Sequence, residues 1–156
     1  MSRFPDILNC GFASGVARYD DRYPGQEQFA RIVVVIGTDT FPNIQAIVDT
    51  GAPWCILDPE IASLGAAAEL DEDADLIRLG IRGEIYEGRL VRAQIILYAE
   101  EGDTLEVETT IFVPKLENGT SWRHPNFIGL GNFLDRICFA VDPHPDENAF
   151  YFGNVG

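Results

Sequence analysis

The chain has little cysteine, little positive charge and no long apolar stretch, and each shortage argues against a class of function. Its three cysteines, Cys10, Cys55 and Cys138, are odd in number, far apart and without a Cys-x-x-Cys pair. That pattern argues against a disulfide framework and a zinc knuckle, and buried free thiols are expected instead. The two histidines, His124 and His144, stand beside prolines in polar stretches, with no Cys or carboxylate at a familiar metal-ligand spacing. They read as solvated loop residues, so no metal or other cofactor is expected. Lys and Arg total 11 against 25 Asp and Glu, a net charge of −14. Neutralising phosphates needs a basic surface, so nucleic acid is not expected as a partner, and any self-association should depend on salt and pH. Apolar runs such as Ile32-Val33-Val34-Val35-Ile36 and Ile95-Ile96-Leu97 have the length of strands. No membrane partner is expected. Met1 to Asp6 shows no basic segment leading into an apolar one, which makes a cytoplasmic location the default expectation.

The 156 residues suit one domain with its own core. Residues 1–28 mix Pro5, Gly11, Gly15, Pro24 and Gly25 with Asp, Arg and Tyr and keep no period, so an irregular N-terminal arm is expected, with the folded domain over 29–156. Strand-forming residues run from Phe29 to Ile36 and again from Ile44 to Val48. Trp54 to Leu57 reads as a short buried strand. Asp58 as N-cap, Pro59 at the first helical position and Gly65 as a stop then predict a brief helix. Glu69 to Asp75 is an acidic run expected as a loop.

Leu76 to Tyr98 predicts a long hairpin with its tip near Gly80 to Gly83, with Val91, Ala93, Ile95 and Leu97 on one face. Leu105 to Val113 alternates as a half-buried strand stopped by Pro114. A polar loop follows over Lys115 to Asn126. Apolar structure restarts at Phe127-Ile128-Gly129, Asn132 to Arg136 suits a helical turn, and Ile137 to Val141 and Phe150 to Phe152 complete the strands. Short strands, frequent turns and one or two short helices indicate an all-β barrel or sandwich.

One motif carries chemistry. Asp49-Thr50-Gly51-Ala52 follows the apolar run Ala46-Ile47-Val48 and occurs once. A carboxylate closing a buried strand is costly unless hydrogen-bonded, so a purely structural Asp49 would form an Asx turn with the backbone two residues on. Other nucleophile readings are poor: Cys55 has no evident base, and no Ser or Thr sits in an elbow motif. Gly129-Leu130-Gly131 lacks the third glycine of a dinucleotide loop and the Lys-Ser or Lys-Thr of a P-loop.

In the order of its elements the chain resembles the single-lobe, retroviral-type aspartic proteases, or retropepsins, from about Phe29 to Phe152. The resemblance rests on the Ala46 to Ala52 turn, the hairpin Leu79-Gly80-Ile81-Arg82-Gly83-Glu84, and Phe127-Ile128-Gly129 followed by Asn132-Phe133-Leu134. It implies a closed acid-protease barrel, homodimeric, in which Asp49 of two subunits forms one catalytic dyad that hydrolyses an extended polypeptide. Within that family pattern Thr50 would lock the turn by hydrogen bonding and Gly51 would permit close backbone approach. The Gly80, Ile81 and Gly83 hairpin would be a flap closing on substrate beside Ala52. Ile128 and Gly129 would support the turn and line the substrate site, although Gly131 also fits the family glycine. Pro53 stands where the family carries a polar substrate contact, and Trp54-Cys55 replaces a small hydroxyl-bearing residue. The rival expectation is a non-catalytic peptide-binding or protein-binding module on the same scaffold.

Overall fold

In the computed structural model, which describes residues 12–63 and 76–154, the apolar runs form strands buried on both faces. Residues alternate between two clusters along each central strand. Val34, Ile36, Ala46, Cys55, Ile111 and Ile128 enter the main core. Their neighbours Val33, Ile47, Ile56, Phe112 and Phe127 enter a second cluster. Two-sided burial is why Val33-Val34 and Ile111-Phe112-Val113 read as continuous apolar runs rather than alternating ones, whereas Val35 in β2 is exposed.

The strands are β1 (Gly15–Arg18), β2 (Val33–Gly37), β3 (Ile44–Val48), β4 (Cys55–Ile56), β5 (Ile77–Ile81), β6 (Glu84–Leu97), β7 (Glu101–Gly102), β8 (Leu105–Pro114), β9 (Asn126–Ile128), β10 (Ile137–Asp142) and β11 (Ala149–Asn154). Among the described residues one helix, α1 (Pro59–Ser63), and a 3-10 turn over Leu134–Arg136 interrupt them. Strands β2-β3-β9-β4-β8-β6 run side by side. Ile36 and Gly37 then pair with Leu97 and Ile96, which closes a six-stranded barrel. The all-β barrel expected from the sequence is therefore the architecture observed. A second sheet, β10-β11-β1-β7, stands against it.

The expected helix is present, with Asp58 Oδ1 accepting from the Glu60 amide at 2.9 Å. The long hairpin is β5–β6, and β6 continues into a ten-pair ladder with β8, from Gly88↔Pro114 to Leu97↔Leu105. Gly65, the acidic run at 69–75 and Cys10 lie outside the described residues.

The expectation of an irregular arm over residues 1–28 needs correction at Gly15–Arg18, which pair with both β11 and β7. Val16 is fully buried, and Asp20 bridges Val33 through two backbone bonds of 2.9 Å. The strand carried no readable signal because it is four residues long and begins with a glycine. That glycine is required, since a Cβ there would lie 2.4 Å from the Asp103 carbonyl oxygen. Among the described residues, no helix is long and apolar enough to cross a membrane.

Asn126, one of two buried polar residues among the described residues, joins the parts that frame the site. Its Oδ1 accepts from the Asp58 amide at 2.8 Å, and its Nδ2 donates to the Gln45 carbonyl at 3.2 Å. One side chain thus couples the start of α1 to β3 and β9. Replacing it by alanine strands a buried donor and a buried acceptor. Asn126→Ala is expected to cost about 2–4 kcal/mol, read from urea denaturation. A change below about 0.5 kcal/mol would show that this coupling is dispensable.

Candidate functional site

Strands β3 and β4 are consecutive in the chain but do not pair with each other. Strand β9 passes between them, parallel to β3 (Ala46↔Asn126, Val48↔Ile128) and antiparallel to β4 (Ile56↔Phe127). The chain leaving β3 must therefore cross the end of β9, and the acidic turn makes that crossing. The Asp49 amide donates to the Ile128 carbonyl at 2.9 Å, and the Ala52 amide to the Asp49 carbonyl at 3.1 Å. From below, the Leu130 and Gly131 amides donate to the Ala52 and Pro53 carbonyls at 2.8 and 3.0 Å. Backbone bonds hold the turn on both sides.

The Asp49 side chain is half-exposed, with Oδ1 accepting from the Gly51 amide at 2.9 Å. This is the Asx geometry that places a carboxylate next to its own backbone. Among the described residues Oδ2 takes no hydrogen bond and no base pairs with Asp49. One oxygen fixes the orientation and the other is free for a ligand. Thr50 is exposed and makes no side-chain hydrogen bond among the described residues, so within one chain the turn is locked by Asp49 and the backbone rather than by Thr50.

Gly129 and Gly131 both press against this turn. A Cβ at Gly129 would lie 2.1 Å from the Trp54 carbonyl oxygen and 2.9 Å from that of Ala52. At Gly131 it would lie 2.1 Å from the Pro53 carbonyl oxygen. Either glycine suits the expected support, and the structure uses both as successive contacts. Ile128, between β3 and β4, is fully buried in the main core.

The β5–β6 hairpin faces the acidic turn across a cleft of about 380 Å³. Its turn residues Arg82 and Gly83 have φ of 50° and 85°, as a two-residue hairpin turn of the right twist requires. Asp49, Gly51, Ala52, Gly80 and Ile81 come together in the cleft. Thr50, Gly83, Ile128 and Gly129 do not line it. Gly83 meets open space beyond the tip, and Ile128 and Gly129 lie beneath the turn.

The apolar floor is the second cluster, with Ile47, Ile56, Leu79 and Phe127 reaching the cleft. Sequence reasoning missed two further lining residues, Arg31 and Arg82. The available signal was Arg82 itself, a cation between the two glycines of the hairpin tip in a chain poor in cations.

The β6 strand just after the hairpin tip carries a cluster that corrects the reading of His124 as solvated. Its side chain is 13% exposed. Its ring meets Tyr86 and Trp122 edge-on at 5.6 and 5.0 Å, and Nε2 lies 2.9 Å from the Tyr86 hydroxyl. Tyr86 also bonds the Glu84 carboxylate, which lies 3.7 Å from His124. Tyr86 is far in sequence from Trp122 and His124, and only the return of the 115–126 loop onto β6 unites the three rings. His144 is exposed, as expected.

The Tyr86 hydroxyl, and after it His124 and Arg123, hold the Glu84 carboxyl below its ordinary range. A carboxyl depressed in the folded state stabilises above its unfolded pKa, and that contribution is lost as pH falls through the folded value. Trp122 lies 5.1 Å from Tyr86 and reports on the cluster. Its emission should change on acidification below about pH 4, and Glu84→Gln should remove that transition. An identical acid transition in the variant would assign it to another group.

Cys55 sits close to Asp49 in sequence but is fully buried, and burial pushes its thiol up to about 12. It supplies no thiolate at neutral pH. Among the described residues, no three His, Cys, Asp or Glu side chains converge as a metal site. Neither a comparison with models of known protein families nor one with curated proteins finds a match to this chain.

Proposed function

We propose that the protein is an aspartic endopeptidase of retropepsin type, in which two copies of the chain bring Asp49 to Asp49 at one active site. The observation that carries this reading is the Asp49 carboxylate. One oxygen is fixed by the Gly51 amide, the other takes no hydrogen bond among the described residues, and Asp49 lines a cleft opposite a hairpin tip. A single such carboxylate is insufficient for the chemistry, and the turn occurs once per chain.

Two carboxylates about 3 Å apart cannot both ionise and share one proton, the general behaviour of aspartic-protease dyads. The ionised member takes a proton from a bound water as that water attacks the peptide carbonyl. The protonated member polarises the carbonyl oxygen, and a proton then passes to the leaving amine. No covalent intermediate forms. The pKa values governing this step belong to the pair rather than to either residue. The extended substrate would lie along the Gly80–Ile81 edge of the hairpin, which supplies strand-like backbone partners.

The second reading, a binding module without catalysis, draws support from the Asx bond, which already accounts for Asp49 structurally. Pro53 at the cleft also favours it, since it offers no N–H to a substrate backbone. One experiment separates the two. Incubation with a diverse peptide library between about pH 4 and 7 should yield internal cleavage that pepstatin-like inhibitors suppress. Binding without cleavage would favour the module.

A further inference from the structure

The cleft carries two cations that the reaction does not use. Arg31 precedes β2, and Arg82 occupies the hairpin tip, and both line the space that holds Asp49. Each guanidinium is positioned by neutral groups. Arg82 donates from Nη1 to Gln26 Oε1 at 2.8 Å and lies over the Phe127 ring, 5.5 Å from its centroid. Arg31 donates from Nη1 to the Ala30 carbonyl at 3.1 Å and lies over Phe29 at 5.2 Å. Among the described residues neither has a carboxylate within salt-bridge distance, although the chain carries 25 of them. Neutral contacts orient a guanidinium without neutralising it, so both keep full charge and unused donors for a ligand.

The surroundings sharpen what that ligand is. A net charge of −14 repels acidic molecules from most of the surface, so a cationic cleft is a local exception. Position 82 has φ of 50°, a conformation that Asn or Gly adopts more easily than Arg. The floor of the same cleft is apolar: Ile47, Ile56, Leu79 and Phe127. An aliphatic stem ending in a carboxylate matches a hydrophobic floor with guanidiniums at its edge.

We infer that Arg31 and Arg82 are specificity residues that select a substrate carboxylate close to the bond aligned with Asp49. This deepens the peptidase reading and rests on it for the bond cleaved, but not for the binding. The carboxylate could belong to a glutamate side chain or to a peptide's own C-terminus, and the test separates the two.

Three fluorescent peptides of one apolar sequence suffice: one with both ends blocked and Glu near the centre, one with both ends blocked and Gln there, and one with Gln and a free C-terminal carboxylate. Cleavage is measured with the full wild-type chain, and binding by anisotropy with Asp49→Asn. At low salt a peptide whose carboxylate is read should be favoured about tenfold over its neutral counterpart, the scale of one charge-assisted hydrogen bond. The ratio should shrink as salt rises and approach one in the Arg31→Gln/Arg82→Gln double variant, whose fold is checked by circular dichroism. A gain for Glu identifies a side-chain carboxylate, and a gain for the free terminus identifies a chain end. Equal affinity for all three peptides, or a preference that survives the double variant, overturns the inference even if cleavage is seen. A carboxylate preference in binding without cleavage leaves it standing and removes the peptidase reading instead.

Discussion

Asp49→Asn is expected to reduce peptide cleavage by at least about 10³-fold while leaving the fold intact, because it deletes a positioned acid–base group. Asparagine keeps size and shape. Its Oδ1 can still accept from the Gly51 amide, the bond that orients the native side chain at 2.9 Å. Neither the backbone bonds of the turn nor the buried core beneath it involves the ionisable proton. Stability should therefore change by no more than about 0.5 kcal/mol, the range typical of half-exposed positions without a buried partner. The loss should appear in kcat rather than in peptide affinity, since the cleft wall and hairpin are untouched. Cleavage at the native rate by a folded Asp49→Asn protein would remove Asp49 from the chemistry.

The second large effect is structural and falls on the glycine beneath the turn. In Gly129→Ala the new Cβ meets two backbone carbonyl oxygens, at 2.1 Å from Trp54 and 2.9 Å from Ala52. Neither is the end of a flexible side chain, so the acidic turn or β9 itself must move. A cost of about 3 kcal/mol is expected, at the upper end of overpacking penalties. For a domain of this size that lowers the melting temperature by roughly 6–12 °C. Gly80→Ala is the control, because its Cβ would meet nothing within 4 Å and its φ is not left-handed. Its stability should stay within about 0.5 kcal/mol of the native protein. Equal melting temperatures for the two variants would mean that the turn is not braced from below.

Much of the barrel was legible because its strands obey local rules. Val33-Val34 and Ile111 to Val113 are apolar in succession since both faces are covered, and Pro114 ends β8 because it cannot donate to the next ladder bond. The hairpin turn was legible from Gly83, and α1 from Asp58 and Pro59. What local rules could not supply was the threading of β9 between β3 and β4. Three residues pair there with segments far away in the chain, and no sequence period encodes that pairing.

The same limit hid β1, a strand defined by glycine contacts rather than by alternation, and the His124 cluster, whose rings arrive from separate segments. At the site, Asp49 stood out because a carboxylate at the end of a buried strand conflicts with burial. Arg31 and Arg82 did not, because arginines are ordinary in a sequence and become informative only when a fold places them in the cleft that also holds Asp49.

One site built from two Asp49 side chains has a stoichiometric signature. Calorimetric titration with a pepstatin-like inhibitor, whose hydroxyl mimics the attacking water of the transition state, measures it directly. Saturation is expected at one inhibitor per two chains, with the molecules sedimenting as a dimer and binding abolished in Asp49→Asn. Saturation at one inhibitor per chain, or no binding by a folded dimer, would contradict it.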